Sequence, residues 1–387
     1  MTTGVSKDYI PKHGAEISSV AIAKLPFMYD NNSLIDFADS WLGHKGDSLD
    51  LFKRVVSGSN IKTRSYAFSL DEIAQLRGQS HRAGEFARRA QEFGLQVSLD
   101  ALANANLSVK EIKGVIFTSC TMPLIPAPDV ALIEELGISP TVMRLPFYQH
   151  GCGGSAVGLR VAGALSAVTG PILLVSVELC SLLFHLIDVT TSSLIGSALF
   201  ADGAAAVVIK PCTQEITFKQ TDHKARIVGS SSYLIPKSAH LMGYNIEDNG
   251  PHLFLEKALP GVLASHAPDA IKSFLGTFGL SVTDVKHWLV HPGGKSILNL
   301  LTQALNLSHQ QLYFSWEIFS RFGNMSSSTL LYVLEAFFLE QGKNSKVAEE
   351  SVIESCATCS KVRSDEFIMV VGMGPGMSVE LSLLRSS

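Results

Sequence analysis

The sequence predicts an α/β fold in which buried sheets carry helices on both faces. Three observations predict it. From Lys113 onward, short apolar segments of strand length alternate with longer ones whose apolar residues recur at helical spacing. The same alternation begins again near Pro260 and runs to the C-terminus. Of the 387 residues, 46% are hydrophobic and only 17% charged, with a mean hydropathy of +0.24, which suits a deeply packed enzyme or an obligate oligomer better than a flexible adaptor.

In chain order, residues 1–110 read as largely helical, with apolar residues at helical spacing in 33–42 and 80–105. Lys53, Arg54, Lys62 and Arg64 form a basic cluster there, either a solvated helix face or a landing site for a phosphorylated ligand. Gly114–Ser119 is a short apolar strand, followed by the proline-rich CTMPLIPAPDV, a helix over Val130–Leu136 and a strand over Val142–Leu145. The turn PFYQHGCGGSA (146–156) then leads into the helical AVGLRVAGALSAV. Ile172–Val177 and Ala204–Ile209 are further buried strands. The most apolar stretch, Pro171–Val189, is interrupted by Glu178, His185 and Asp188, so it reads as a strand and short helix rather than a membrane span.

The second part opens with a helix over Pro260–Thr277. A strand, Val285–Val290, runs directly into His291-Pro-Gly-Gly, with a helix from about Ser296. Gly323-Asn-Met-Ser-Ser precedes the helical STLLYVLEAFFLEQ, and strands Glu366–Val371 and Ser378–Leu384 are joined by Gly372-Met-Gly-Pro-Gly. A dinucleotide fingerprint needs a helix after its glycine loop. Here SVELSLL alternates like a strand, so the loop reads as a tight turn that lets backbone approach an active site.

A net charge of −4 and a pI near 6.3 give no electrostatic footprint for nucleic acid or an anionic membrane. The opening MTTGVSKDYIPKHGAE lacks the apolar core of a secretory signal, so a cytoplasmic protein without membrane insertion is expected. Six cysteines are too sparse for a disulfide framework in a chain of this length. Cys356 and Cys359 make a C-x-x-C with no second ligand pair, so no metal site is expected.

Cys152, His291 and Asn324 each fall at a strand-to-helix junction or a helix start, where functional groups project from α/β sheets. Each alone has an inert explanation: a buried packing thiol, a turn histidine, a helix cap. Together they supply a nucleophile, a base and a neutral donor. A helix N-terminus and a nearby imidazolium lower a thiol pKa, and two N–H donors can hold an enolate or tetrahedral oxyanion. Cysteine hydrolases of the papain type share this order of residues, but they place the cysteine near the mature N-terminus in a Cys-Gly-Ser-Cys-Trp context that is missing here. Acyl-transferring enzymes that form carbon–carbon bonds fit better.

The set QHGCGG, ALFADGAAAVV, LVHPGGKSIL, GNMSSSTLLYVL and VVGMGPGMSVELSLLR resembles the type III polyketide synthases of the chalcone synthase superfamily. The resemblance runs from about residue 15 to the C-terminus and is nearer to bacterial members, such as phloroglucinol and alkylpyrone or alkylresorcinol synthases, than to plant ones. It implies the thiolase fold: two duplicated halves, 1–230 with the cysteine and 231–387 with the histidine and asparagine, in a five-layered αβαβα core. It also implies that Cys152 is loaded from an acyl-CoA starter, while His291 and Asn324 assist decarboxylation of malonyl-CoA and stabilise the enolate. The extended chain would then cyclise to a pyrone or phenolic ring.

By the same resemblance Phe200 matches a gatekeeper phenylalanine, and the second gatekeeper position falls on Leu253. Cys120, Thr121, Cys180, Leu183, Gly196, Tyr244 and Ser326 match cavity positions, with Leu183 less polar than the threonine common in plant enzymes. Ile125 stands where a methionine crosses into a partner's cavity, implying a homodimer. Arg54 matches a residue that binds coenzyme A, whereas two lysine positions of that set appear as Leu51 and Gly58, leaving Lys53, Lys62 or Arg64 as substitutes. No cofactor beyond the coenzyme A thioester substrates is implied, and an aliphatic or malonyl starter is favoured over a cinnamoyl one. Two other readings remain open: a single-condensation enzyme like ketoacyl synthase III, and a catalytically silent acyl-CoA-binding protein of the same fold.

Overall fold

The computed structural model describes residues 14–43, 46–184, 188–212, 225–248, 250–341, 363 and 365–386. The C-x-x-C cysteines 356 and 359 lie outside them. The chain runs β1 (Gly14–Ile22), β2 (Phe27–Asp30), α1 (Asn31–Leu42), α2 (Gly46–Gly58), β3 (Thr63–Tyr66), α3 (Leu70–Gln75), α4 (Gly78–Asn104), β4 (Gly114–Thr118), α5 (Asp129–Leu136) and β5 (Met143–Phe147). It continues with α6 (Gly154–Thr169), β6 (Ile172–Leu179), α7 (Thr191–Leu199), β7 (Asp202–Cys212), β8 (Ala225–Leu234), β9 (Met242–Glu247), β10 (Gly250–Leu255) and α8 (Leu259–Gly276). Last come β11 (Val285–Val290), α9 (Lys295–Leu305), α10 (Tyr313–Phe322), α11 (Ser328–Gln341), β12 (Phe367–Gly374) and β13 (Ser378–Ser386).

Nine strands join in the order β11-β12-β13-β8-β1-β7-β6-β4-β5. The two halves of this sheet meet where β1 pairs β8 over only three residue pairs, Ala15–Ile17 against Ala225–Ile227. Helices α6 and α11 pack against strands of both halves and form a shared middle layer. α4 covers the outer face of β1, β6 and β7, while α8 packs on β13 and α9 packs on α8. That stacking is the αβαβα order. Small residues in α6, among them Ser155, Ala156, Ala162 and Ser166, are buried and keep the middle layer thin enough to touch both halves. β6 is buried at all eight positions, as a strand with both faces covered requires.

The N-terminal segment holds the helices expected over 33–42 and 80–105, as α1 and α4, but it holds three strands as well. β1, a central strand, lies in it, as do β2 and β3. GAEISSVAI interleaves two serines, so pairing with β7 and β8, more than local pattern, makes it a strand. The 230/231 division falls inside β8, whose residues 225–230 already pair with β13.

One contact between the halves positions the site. The β12–β13 hairpin, which carries GMGPG, lies against the turn around Cys152. Gly151 has φ +51°, and a side chain there would meet Pro375 Cδ at 2.6 Å. A Cβ on Gly374 would sit 2.6 Å from the His150 carbonyl oxygen and 3.0 Å from Gly153 N, backbone atoms that cannot swing away. The glycine loop is thus a close backbone approach, as its sequence suggested. Gly374→Ala is expected to destabilise the fold by about 2 kcal/mol or more. Gly84→Ala, on an open stretch of α4, should instead stabilise it by ~0.5–1 kcal/mol. Urea unfolding of the two variants measures both shifts, and equal midpoints would contradict the tight approach.

Candidate active site

Cys152 sits in a 3-10 turn, Gly151–Gly153, that runs directly into α6. Its thiol is buried, and burial pushes its pKa up to about 12, partly offset by a hydrogen bond from Ser326. His291 follows β11 and is held through its backbone N–H to the Val371 carbonyl at 2.8 Å. Its ring is 1% exposed, and neither ring nitrogen has a hydrogen-bond partner among the described residues. Burial draws its pKa down to about 4, so the imidazole is neutral. Desolvation thus disfavours the charged form of each group and works against the thiolate–imidazolium pair anticipated from the sequence.

Asn324 lies between α10 and α11. Its N–H donates to Leu199 O at 3.0 Å and its carbonyl accepts from Ala201 N at 2.8 Å, a bridge that ties it to Phe200. The side-chain Oδ1 accepts from Ser326 N–H at 2.9 Å while Nδ2 donates to Gly293 O at 3.2 Å. These partners fix the amide's orientation and leave one of its N–H donors unused. Ser326, at φ +49°, is held in the left-handed region by that bond, and its hydroxyl lies 3.2 Å from Cys120 Sγ.

Cys152, His291, Asn324 and Phe200 line one cavity of about 710 Å³. A second cavity, about 30 Å³, is lined by Cys180, Leu183, Gly196, Phe200, Tyr244 and Leu253. Among the described residues Phe200 is the one residue lining both, so it stands between them. Leu253 pairs with Tyr244 across the β9–β10 hairpin and reaches over α7, where a Cβ on Gly196 would meet its Cδ2 at 2.7 Å. Cys120 and Thr121 are buried on the loop after β4, and Ile125, further along, is 99% exposed.

The basic cluster separates. Arg54 lines the large cavity. Lys53 is paired with Asp39 at 2.9 Å, and neither it nor the exposed Lys62 lines the cavity. Arg64 is wholly buried, donating to Ala198 O and Asn31 Oδ1 at 2.8 Å, and acts as a brace.

Several residues that shape the site escaped the sequence reading. Glu178, fully buried on β6, accepts from Ser119 Oγ (3.2 Å), Cys120 N (3.0 Å), Thr121 Oγ1 (2.9 Å) and Ser327 Oγ (2.5 Å). Burial raises its pKa, and those donors work against the rise. Two turns of chain from separate halves are thereby pinned to one carboxylate. Ser176, two residues earlier, lies 2.9 Å from Ser327 Oγ and 2.8 Å from Ser328 Oγ and steadies the same GNMSS turn. Asp202 accepts from Ala67 N (2.9 Å), Ser181 N (2.8 Å) and Ser181 Oγ (2.6 Å), and burial raises its pKa to about 6. It anchors the Cys180–Leu183 turn against the end of β3. A lone acid inside ILLVSVEL was the available signal for Glu178. Lys257 and Lys295 also line the large cavity.

Residues 43–211 match the family model for the N-terminal domain of chalcone and stilbene synthases, and 226–387 match that for the C-terminal domain. The chain belongs to the chalcone and stilbene synthase family. It is a type III polyketide synthase, an acyltransferase that uses coenzyme A thioesters. It is 29% identical over 381 residues to a 1,3,6,8-tetrahydroxynaphthalene synthase of Streptomyces peucetius subsp. caesius, covering 96% of this chain and 93% of that protein. It is 29% identical over 290 residues to a phloroglucinol synthase of Pseudomonas fluorescens (74% and 81% covered). A putative chalcone synthase of Bacillus subtilis is 32% identical over 278 residues (71% and 70%). Among solved structures, PKS-I of the brown alga Ectocarpus siliculosus superposes with a TM-score of 0.85 at 25% identity, covering 98% of this chain and all of that one. The tetrahydroxynaphthalene synthase of Streptomyces coelicolor superposes at 0.83 and 24%, over 96% and 99%, a likeness of fold. The thiolase fold and the family expected from the motifs are both found.

Among the described residues one helical run, Gly151–Thr169, is long and apolar enough to span a bilayer by length and composition, but it is the middle-layer helix behind Cys152.

Because His291 is neutral down to about pH 4, it can accept a proton throughout the weakly acid range. The His291-dependent part of Cys152 alkylation by iodoacetamide is expected to persist as pH falls through 6.5, the ordinary histidine value, and to vanish only toward about 4. A half-point at 6.5 would contradict the burial effect. Glu178→Ala should cost roughly 2–4 kcal/mol by urea unfolding, since its buried donors lose their acceptor. A loss within experimental scatter would contradict the anchoring role.

Proposed function

We propose that Cys152 carries the growing acyl chain and that His291 and Asn324 drive its extension by malonyl units. The observation that carries this reading is the buried imidazole with two unpartnered nitrogens, in one cavity with the thiol and the free Asn324 N–H. A nitrogen of neutral His291 takes the Cys152 proton as sulfur attacks the starter thioester carbonyl. The tetrahedral intermediate then expels the coenzyme A thiolate, which takes that proton, leaving a thioester on Cys152. Thiolate and imidazolium stabilise one another during transfer, so neither ion is buried alone.

Malonyl-CoA then loses carbon dioxide, and the electron pair of the broken C–C bond passes into a thioester enolate. The enolate oxygen is held by the His291 N–H and the remaining Asn324 amide N–H. The enolate carbon attacks the Cys152 thioester and the Cys152 thiolate leaves, giving a chain two carbons longer on coenzyme A. Reloading repeats the cycle. The small side cavity behind Phe200, walled by Leu183 and Leu253, favours a malonyl or short aliphatic starter and a compact phenolic product. The names of the tetrahydroxynaphthalene and phloroglucinol synthase relatives point the same way. We place the enzyme in the cytoplasm, with no cofactor beyond its thioester substrates.

The active form in this reading is a homodimer. Ile125 projects almost fully into solvent, and β5 is a sheet-edge strand with half-exposed residues and Met143 36% exposed. An open edge of this kind is a pairing surface. Sedimentation is expected to give twice the 41.7 kDa chain mass, and a monomer at micromolar concentration would contradict it.

The function is tested with labelled malonyl-CoA and a panel of acyl-CoA starters, with products read by mass spectrometry. Products of two or more extensions are expected. Cys152→Ala should abolish them, while His291→Gln or Asn324→Ala should lower kcat about 10²–10³-fold and leave some starter loading, slower in His291→Gln, which lacks the base. A single extension, or undiminished product from Cys152→Ala, would overturn the proposal.

A further inference from the structure

The central strand β1 is irregular at Ser18. Its pairing with β8 ends at Ile17, and its register with β7 steps from Ile17 to Ser19, so Ser18 has no partner residue on either neighbour. A bulge of this kind re-aims the side chains around it. Ser19 Oγ donates to the Ala101 carbonyl at 2.6 Å, whereas Ser18 Oγ is buried without a hydrogen-bond partner among the described residues.

A cavity of about 160 Å³ lies beside the bulge. It is lined by β1 around Ser18, by Asn104 at the end of α4, and by Glu335, Phe338 and Leu339 of α11. The last three follow the i, i+3, i+4 spacing of one helix face. The cavity shares no lining residue with the one that holds Cys152, and Asn104 is exposed, so it opens to solvent there. Glu335 Oε2 is buried and, like Ser18 Oγ, lacks a hydrogen-bond partner among the described residues. No basic side chain among them lines the cavity to neutralise the carboxylate. Burial pushes the Glu335 carboxyl up to about 8.

Two orphaned polar atoms on one cavity call for a donor. A buried acid repels an anion, and a hard divalent cation wants more oxygen ligands than one carboxylate and one hydroxyl. Phe338, Leu339 and Val20 add apolar wall that a bare ion would leave unused. A primary ammonium brings three donors, and the Asn104 amide can supply a third acceptor. At ~30 Å³ for each water the cavity has room for about five, which four carbons and a nitrogen would fill.

We infer that this cavity is a binding site for a short primary alkylammonium ion, its head on Glu335 and Ser18 and its chain against Phe338 and Leu339. Binding needs the ionised carboxyl, so below about pH 8 the ligand displaces a proton from Glu335 to solvent and its affinity falls with pH. The ionisable groups nearest in sequence to the walls do not compete in this range. Glu16 is paired with Lys210 at 3.5 Å, and Asp100 is exposed. Tyr332 is kept uncharged by burial and donates to Ala23 O at 2.9 Å, and Glu340 lies about 140° round α11 from Glu335.

Calorimetry of n-butylammonium chloride with the full chain at about pH 8.5 tests it, with n-butanol and sodium butyrate as controls. The ammonium should bind about tenfold or more tightly than the alcohol, and butyrate should not bind. Glu335→Gln, which keeps the shape and removes the charge, should weaken binding about tenfold or more, and Ser18→Ala roughly three- to fivefold. Lowering the pH to about 6.5 should weaken wild-type binding roughly twentyfold, while the ammonium, with a lysine-like pKa of ~10.4, stays charged. That pH dependence should be absent in Glu335→Gln. The wild-type pH series and Ser18→Ala decide the matter even where Glu335→Gln fails to fold.

Equal affinity for butanol and butylammonium, no heat at about 10 mM ligand, or an affinity independent of pH would overturn the inference. So would displacement by potassium chloride at the same concentration, which would assign the two acceptors to a bare cation.

Discussion

The site depends on a backbone contact between two glycine turns, one from each half of the chain. The hairpin around Gly374 presses on the turn around Gly151–Gly153 so closely that a single methyl would strike carbonyl oxygen or amide nitrogen. That contact sets the height of Cys152 above the middle-layer helix. It also aligns the thiol with β11 and β12, because His291 hangs from Val371 on the strand that enters the hairpin. Nucleophile and base therefore share one rigid reference, although 139 residues of sequence separate them. A third turn, GNMSS, joins through Asn324 to Phe200 and through Ser327 to Glu178.

Beneath these turns lies a polar seam in an otherwise apolar core. Glu178, Ser176 and Asp202 each collect donors from segments distant in sequence, in a region where an unmet donor is costly. The seam fixes the loop after β4, the Cys180–Leu183 turn and the GNMSS turn that carries Asn324 before any substrate arrives. His291 differs from the rest. Its ring is buried and has no hydrogen-bond partner among the described residues, a setting in which burial disfavours the charged form.

Much of this was legible in the chain itself. Strands β4, β6, β11 and β12 are mostly apolar runs, and helix α11 follows a capping sequence, so periodicity and turn residues located them and the three catalytic candidates at their ends. β1 was hidden, since a serine-rich strand owes its conformation to its two neighbours and not to its own pattern. Glu178 was hidden in another way: one acid in an apolar run looks like an interruption until the facing donors are known. The cations that line the large cavity show the limit most clearly. Lys53 and Arg54 are adjacent in sequence, yet a helix turns consecutive residues about 100° apart, so Lys53 meets Asp39 on α1 while Arg54 faces the cavity. Its companions, Lys257 and Lys295, are brought there by tertiary folding alone.

The central claim is that Cys152 carries the lengthening chain. Peptide mass spectrometry after acid quench of the enzyme turning over malonyl-CoA tests it most directly. A ladder of acyl adducts, spaced by two-carbon ketide increments, is expected on the peptide bearing Cys152. The ladder should be lost in Cys152→Ala and shortened to the starter alone in His291→Gln. Adducts confined to Cys120, or turnover with Cys152 unmodified at every time point, would contradict it.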